Sequence, residues 1–290
     1  MSTGRTIELI VLVYGEHCQT ARAYLAYLAA AGLRPQKILH VIAPGTSPQA
    51  RRLRPLLGRR LTARLAEWYV MRPFRRPAMQ QLCDEAQAGF AVHVDYFGRV
   101  NWPALADDYE RLVVDELNSP EVRAALVRQP CRTFLYTAGG RVTAETLAAP
   151  GVRVLHIHPG VVPHVRGSDG LLWSLAARGR PGVSCFYMSP GIDTGDVIRT
   201  REFEPIVLTG SLRDAPPEAV AQALVFAYDP HLRAQLLVEV IGDRGPGDDL
   251  GSLPTSRQDG ATGCDYFGMH RAVVRRLIRS LQMGTAVVER

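Results

Sequence analysis

Two histidines and one aspartate are the side chains best suited to chemistry in this chain. His156 and His158 belong to the apolar run 154–158, and Asp193 stands between glycines in the segment 191–195. Alternate residues of a strand point to the same side, so the two imidazoles are expected on one face. An imidazole exchanges protons near neutral pH, and a carboxylate can share the proton. The same residue types also suit a two-histidine, one-carboxylate metal site.

The segments around these residues predict how they are brought together. Pro159 and Pro163 cannot donate ladder hydrogen bonds, so the strand is expected to end in a loop with fixed turns. A predicted helix at 170–178 and a second apolar run at 182–188 lie between this loop and Asp193. The second run can therefore return the carboxylate to the sheet edge that carries both histidines.

The amino-terminal part predicts an α/β fold with a doubly wound, mostly parallel sheet. Two β-branched, aliphatic runs at 6–14 and 37–42 enclose an Ala- and Leu-rich helix at 19–31, which is the pattern of a β-α-β unit. Because a single glycine, Gly15, follows the first run, the dinucleotide fingerprint is absent and neither NAD nor FAD is expected. Further along, we predict a strand at 91–94 and a helix at 101–117.

Residues 51–88 predict a mostly helical insertion, broken at Pro73 and Pro77. Arginines are dense and acids scarce in its first part, 51–76. This charge fits either a solvated helical face or an anion site for phosphate or nucleic acid.

The ordered motif around the two histidines resembles the signature of the folate-dependent formyltransferases. That family carries Asn-x-His-Pro, a later Pro, Arg-Gly, and then a loop with Asp-x-Gly. Here the matching residues are His158-Pro159, Pro163, Arg166-Gly167 and Asp193-Thr194-Gly195, whereas His156 stands where the family has Asn. The resemblance implies a Rossmann-like formyltransferase fold.

The resemblance also implies roles for these residues. His158 would be the acid–base or electrostatic group, Asp193 its proton-managing partner, and His156 a substitute for the amide that donates to the developing oxyanion. Arg166 would bind an acidic substrate group or order its loop. A purely structural role for both histidines is disfavoured, because His-Pro-Gly in a loop fixed by proline and glycine is an unusual core setting.

Glycines directly after the predicted strand 133–136 allow a ligand to approach the backbone closely. In the family, a matching loop holds the pterin through main-chain groups, so Gly140, Arg141 and Val142 are implied contacts of the donor, 10-formyl-tetrahydrofolate. A simple strand-to-helix turn is the alternative for this loop.

The resulting hypothesis is an N-formyltransferase acting on a small amine, such as an amino sugar nucleotide, a modified amino acid or a natural-product intermediate. The alternatives are a hydrolase on the same fold, metal-dependent through His156, His158 and Asp193, and a non-catalytic folate-binding relative. The ordered motif favours transfer without a metal. The Arg-rich insertion, including Arg72 and Arg76, would suit a phosphorylated acceptor.

Length and composition determine the remaining predictions, which concern compartment, domains and partners. The chain has 290 residues, a net charge of +6 and five scattered cysteines, which favours a reducing, cytoplasmic setting without a disulfide framework. We expect an α/β domain at 1–244 and a linker with a tail at 245–290. That tail is shorter than the extra domain of formyltransferases acting on initiator tRNA, so nucleic acid is disfavoured. Membrane association is not expected, and a homodimer is left open.

Overall fold

A seven-stranded, mostly parallel sheet forms the centre of the protein. The computed structural model describes residues 4–44, 47–242, 249–259 and 262–284. In chain order the strands are β1 (Arg5–Tyr14), β2 (Leu33–Ile42), β3 (Asp108–Val113), β4 (Thr133–Tyr136), β5 (Arg153–His158), β6 (Arg166–Gly167), β7 (Gly182–Tyr187), β8 (Val197–Glu202) and β9 (Asp265–Tyr266). The main sheet has the order β3-β2-β1-β4-β5-β7-β8, and β6 pairs with β9 separately. Strands β1 to β5 of the main sheet are parallel, whereas β7 and β8 are antiparallel to their neighbours.

Helices cover both faces of this sheet. They are α1 (Gln19–Ala30), α2 (Pro48–Met71), α3 (Pro77–Gln87), α4 (Pro120–Val127), α5 (Ala144–Leu147), α6 (Gly170–Arg178), α7 (Ser211–Asp214), α8 (Pro217–Ala223), α9 (Asp229–Gly242) and α10 (Arg271–Gln282). A π-helical turn, Leu224–Tyr228, joins α8 to α9. The predicted α/β class with a doubly wound, mostly parallel sheet is confirmed.

The hydrophobic core lies on both sides of the central strands. Leu9 and Val11 of β1 pack with α1 and α9 on one face, whereas Ile10 and Leu12 pack with α4 on the other. Alternate residues of β1 are thus buried on opposite faces, which explains why this strand is a continuous apolar run in the sequence.

Two predicted elements are wrong. The stretch 91–94 has no strand, and the predicted helix 101–117 is instead a short 3-10 turn, Trp102–Leu105, followed by β3. This edge strand carries charged side chains, and Lys37 of β2 pairs with Asp108 at 3.0 Å and Glu110 at 2.9 Å. These ion pairs come from a distant part of the chain, so local periodicity could not reveal the strand.

The stretch 51–88 is helical, as the sequence predicts. Helices α2 and α3 are separated by the turn Pro73–Arg75. The turn begins at Pro73 and α3 begins at Pro77, the two prolines that were expected to interrupt the helix. Gly58, with φ of 71° and ψ of 168°, adds a kink inside α2. None of the described helices is long and apolar enough to span a membrane.

The described part of the tail packs against the α/β domain. Ser256 and Val197 exchange two backbone hydrogen bonds of 2.8 Å, and β9 lies parallel to β6. Helix α10 buries Leu277 and Ile278 in the same core as the central sheet. Of the predicted linker and tail, residues 245–248, 260–261 and 285–290 lie outside the described residues.

Candidate active site

Strand β5 and the loop after β7 bring His156, His158 and Asp193 together. One ligand atom from each of the three side chains lies within 4.8 Å of the others. Both histidines stand at the carboxyl end of β5, on the same face, as strand alternation predicts. Asp193 adopts a left-handed backbone with φ of 52°, and its Oδ2 accepts a 2.7 Å hydrogen bond from the Gly167 amide. Three residues that are separated in sequence therefore form one compact group.

The hydrogen bonds of His158 fix the roles of its two ring nitrogens. Nε2 lies 3.2 Å from the carbonyl oxygen of Val165, which can only accept, so Nε2 carries the proton. Nδ1 lies 3.4 Å from Asp193 Oδ2. In the neutral ring, Nδ1 has a free lone pair and faces a carboxyl group, so the pair is arranged to hold one added proton between them.

Burial controls the protonation of this group. Removal from water lowers the pKa of both His156 and His158 to about 3. Burial also raises the pKa of Asp193, against the opposing effects of His156 and the Gly167 amide. Both imidazoles are therefore neutral near pH 7 and can accept a proton only when a reaction delivers it.

His156 has a buried ring atom with an unsatisfied hydrogen bond. Its ring lies 5.6 Å from the rings of both Tyr136 and Phe186, centroid to centroid. Its Nδ1 has no hydrogen-bond partner among the described residues. An unpartnered buried polar atom is costly, so a bound molecule that supplies a partner would be favoured here.

A cavity of about 930 Å³ opens beside the three residues. The loop 139–142, which contains Gly140, Arg141 and Val142, lines another part of its wall. Tyr136 donates from its hydroxyl to the Gly139 carbonyl at 3.1 Å, and Asn118 donates to the Arg141 carbonyl at 3.0 Å.

Within the described part of the chain, the amide N–H groups of Gly140, Arg141 and Val142 have no hydrogen-bond acceptor. The loop is therefore held through its carbonyl oxygens while these three donors remain available to a ligand.

A buried ion pair on α9, which the sequence reasoning missed, also lines the cavity. Arg233 Nη2 lies 2.8 Å from Asp229 Oδ2 and donates to Thr20 Oγ1 at 2.9 Å. Its Nη1 donates to the carbonyl of Ile157, between the two histidines, at 3.4 Å. The spacing of four residues on a helix places this Asp and Arg on one face, which was the available signal.

Arg166 and the insertion arginines lie elsewhere. Arg166 is buried, and its Nε lies 2.7 Å from Asp265 Oδ1. It is absent from the cavity lining, as are Arg72 and Arg76. Arg166 belongs to β6 and pairs with Asp265 of β9, which favours the loop-ordering alternative over direct contact with a substrate.

The tail completes the cavity wall. Tyr266 stacks on Trp173 of α6 with ring centroids 4.5 Å apart, and the indole Nε1 donates to the Phe267 carbonyl at 2.8 Å. Tyr266, Phe267 and Arg271 line the cavity. The sequence pattern gave no indication that the tail would reach the site.

The same three site residues could hold a metal ion. A tetrahedral zinc ion with bonds of about 2.1 Å keeps its ligand atoms about 3.4 Å apart. The cluster spans up to 4.8 Å, so its side chains would have to move closer to enclose such an ion.

Comparisons with known proteins find formyltransferases. No protein-family model matches the chain. A methionyl-tRNA formyltransferase from Syntrophus aciditrophicus is 34% identical over 71 residues, 24% of this chain and 23% of that protein. Another, from Synechococcus elongatus, is 31% identical over 124 residues, 40% of this chain and 38% of that protein. The chain thus spans well under half the length of these curated relatives.

A solved sugar N-formyltransferase from a Shewanella species is 12% identical with a TM-score of 0.44, covering 95% of this chain and 88% of that one. The matches in sequence confirm the resemblance to formyltransferases that the motif predicted.

Proposed function

We propose that this protein is an N-formyltransferase that moves the formyl group of 10-formyl-tetrahydrofolate to the amine of a small acceptor. The observation that carries the proposal is the convergence of His156, His158 and Asp193, within 4.8 Å, on a cavity of about 930 Å³. The sequence resemblance to formyltransferases supports this assignment. The activity is a property of the whole cavity, including the wall built by the tail.

The loop 139–142 is the proposed site of the donor's pterin. A pterin carries ring nitrogens and a carbonyl group. These atoms can exchange hydrogen bonds with the amide and carbonyl groups of a main chain. The available amides of Gly140, Arg141 and Val142 match such acceptors. Gly140 has φ of 104°, a backbone conformation that a residue with a side chain rarely adopts. A glycine there keeps the loop in the shape that presents these amides.

The proposed reaction adds the acceptor amine to the formyl carbon of the donor and forms a tetrahedral intermediate. The carbonyl oxygen becomes an oxyanion, and the amine nitrogen must lose a proton. His158 Nδ1 and Asp193 Oδ2 are arranged to take that proton, because they lie 3.4 Å apart and Nδ1 of the neutral His158 ring has a free lone pair. The proton then passes to the folate nitrogen as its bond to the formyl carbon breaks, so donor nitrogen and acceptor exchange one formyl group for one proton.

His156 is the proposed donor to the oxyanion. A neutral imidazole has one N–H, and the proposal places it on Nδ1, which has no partner among the described residues. One such donor to a developing oxyanion lowers the barrier by about 3–4 kcal/mol. The histidine would thus replace the family's asparagine in function as well as in position.

The proposed acceptor is a small amine, with an amino sugar nucleotide, a modified amino acid and a natural-product intermediate as candidates. Tyr266 and Phe267 give the tail side of the cavity apolar, aromatic surface, and Arg271 adds a cation there. Such a wall suits an acceptor that joins a ring to an anionic group. A cytoplasmic location and self-association as a homodimer remain predictions.

Donor binding tests the proposal. Titration calorimetry with a non-reactive analogue of 10-formyl-tetrahydrofolate should show stoichiometric binding to the wild-type protein. Gly140→Val should weaken this binding at least tenfold, because valine is strained at a positive φ, while Gly242→Val, on a glycine with open space around it, should not. The absence of binding to the wild-type protein would remove the folate proposal.

A second candidate is a metal-dependent hydrolase, favoured by the ligand types of the same three residues. Metal analysis of the purified protein and an assay with a chelator separate the two. Stoichiometric zinc or iron, together with loss of activity on chelation, would support the hydrolase and contradict the transferase mechanism.

A further inference from the structure

Helix α2 carries its large apolar side chains on the outside of the protein. Leu56 is 80% exposed, Tyr69 71% and Trp68 48%. The exposed large apolar residues of α2 are Leu53, Leu56, Leu57, Leu61, Leu65, Trp68, Tyr69 and Val70. We call this set the outer stripe.

The inward face of α2 buries Ala50, Thr62, Ala63 and Met71, of which only Met71 is a large apolar residue. Thr62 and Ala63 are buried, and the Thr62 hydroxyl donates to the Gly58 carbonyl at 2.8 Å. In the segment 59–71, Leu61, Leu65 and Trp68 follow the spacing i, i+4, i+7, which places them on one face of a helix. That face is opposite to the buried one, so the helix is amphipathic with its apolar side turned to solvent.

Arginines surround the outer stripe, and few of them are neutralised. From 48 to 76, Glu67 is the only acidic residue. Arg54 and Arg59 pair with Asp115. The other arginines of the segment have no ion pair with an acid in the described parts of the chain, and all are exposed: Arg51, Arg52, Arg60, Arg64, Arg72, Arg75 and Arg76.

We propose that α2 binds the surface of an anionic lipid bilayer, with the outer stripe entering the interface and the surrounding arginines contacting lipid phosphates. The combination of Leu and Trp on one face with dense cationic charge is the pattern of helices that lie in a membrane interface. After the kink at Gly58, Leu61, Leu65 and Trp68 are all exposed on one face of the helix, which suits a planar surface. Membrane association was not expected from the sequence, because a helix that lies on a membrane surface needs no long apolar run.

The positive charge around the outer stripe disfavours a second copy of the chain as its binding partner. Two α2 helices brought face to face would oppose arginine to arginine, and like charges in close contact are unfavourable. A bilayer rich in acidic phospholipid supplies the missing negative charge, at about 1 kcal/mol for each arginine near its surface.

Co-sedimentation with vesicles tests the proposal. The wild-type protein should sediment with vesicles of phosphatidylcholine containing phosphatidylglycerol, but not with phosphatidylcholine alone, and added salt should weaken the binding. L61Q/W68Q should weaken it at least tenfold. R60Q/R64Q should weaken it about 25-fold, from about fivefold for each arginine.

Matched controls lie on other surfaces. Val207 is 81% exposed in a loop and Arg213 is exposed on α7, so Val207→Gln and Arg213→Gln should bind vesicles like the wild-type protein. Circular dichroism establishes that each variant is folded.

Failure of the wild-type protein to sediment with anionic vesicles would overturn the proposal, as would unchanged binding by L61Q/W68Q. Two further results would also overturn the proposal, because they would assign the outer stripe to another binding partner. One is a dimer in sedimentation velocity that L61Q/W68Q abolishes, and the other is tight binding to RNA without any binding to vesicles. None of these outcomes depends on the proposed formyl transfer.

Discussion

The ring of His156 lies between those of Tyr136 and Phe186, and its Nδ1 has no partner among the described residues. A neutral imidazole in this position can donate one hydrogen bond, as the family's asparagine amide does. Under the proposed mechanism the ring takes the place of that amide, and the position of its N–H group decides whether transfer is retained.

We predict that His156→Leu lowers kcat for formyl transfer by about 10²–10³, the usual effect of removing one oxyanion donor. His156→Asn should retain activity within about tenfold of the wild type, because the amide N–H can replace the ring N–H. Steady-state assays of both variants, with circular dichroism as a check on folding, measure this. Full activity in His156→Leu would show that the ring does not contact the oxyanion.

At the residue scale, the sequence predicted that three side chains lie close together and missed Arg233, which lines the same cavity. His156, His158 and Asp193 were found because strand alternation and an ordered motif are local signals. Arg233 was missed because its contacts, to Thr20 and to the Ile157 carbonyl, join distant parts of the chain. Its spacing of four residues from Asp229 was the one local signal for this arginine.

At the scale of elements, α9 contacts the backbone of β5 between the two histidines. Arg233 is held by Asp229 and reaches the backbone of β5. A buried charge without its partner is strongly destabilising, whereas removal of both charges is often nearly neutral.

We predict that Arg233→Met lowers the free energy of unfolding by about 3–5 kcal/mol, because it leaves the Asp229 carboxyl buried without a counter-charge. The double variant Arg233→Met/Asp229→Asn should recover much of this loss. Urea unfolding of the wild type and the three variants, including Asp229→Asn alone, gives the comparison. If the double variant is no more stable than Arg233→Met, the destabilisation comes from lost packing and not from the unpaired charge.

Element prediction succeeded where the pattern was local and failed at the sheet edge. The β-α-β start and strand β4 follow from apolar runs with clear ends. Strand β3 was predicted as a helix because its charged residues are stabilised by Lys37, more than 70 residues away in sequence. The tail's contribution to the cavity depends on pairing of β9 with β6, for which two-residue strands give no periodic signal.

At the scale of the whole molecule, several buried histidines make stability sensitive to acid. The pKa values of His156 and His158 are lowered to about 3, and that of His231 to about 4, with burial as the largest cause in each case. In the unfolded chain each would titrate near its ordinary value of about 6.5. As the pH falls below that value, the unfolded state binds more protons than the folded state, so stability falls until the folded pKa is reached.

We predict that each of the three histidines removes about 2 kcal/mol of stability between pH 7 and pH 5. His231→Gln should reduce the total acid-induced loss by a similar amount, because glutamine does not titrate. Urea unfolding at several pH values measures how the free energy of unfolding depends on pH in the wild type and in the variant. Parallel pH profiles for the variant and the wild type would mean that His231 is not kept neutral by the fold.

The most direct test of the account follows the formyl carbon itself. The protein is given 10-formyl-tetrahydrofolate labelled with ¹⁴C in the formyl group, together with a set of small amines that includes amino sugar nucleotides. The distribution of label between a formylated amine and free formate is then measured. We predict label in one amine, little formate, and at least a hundredfold slower transfer by His158→Ala, because the proton acceptor is lost. Label found only in formate, at a rate independent of every amine, would contradict the account and identify a hydrolase.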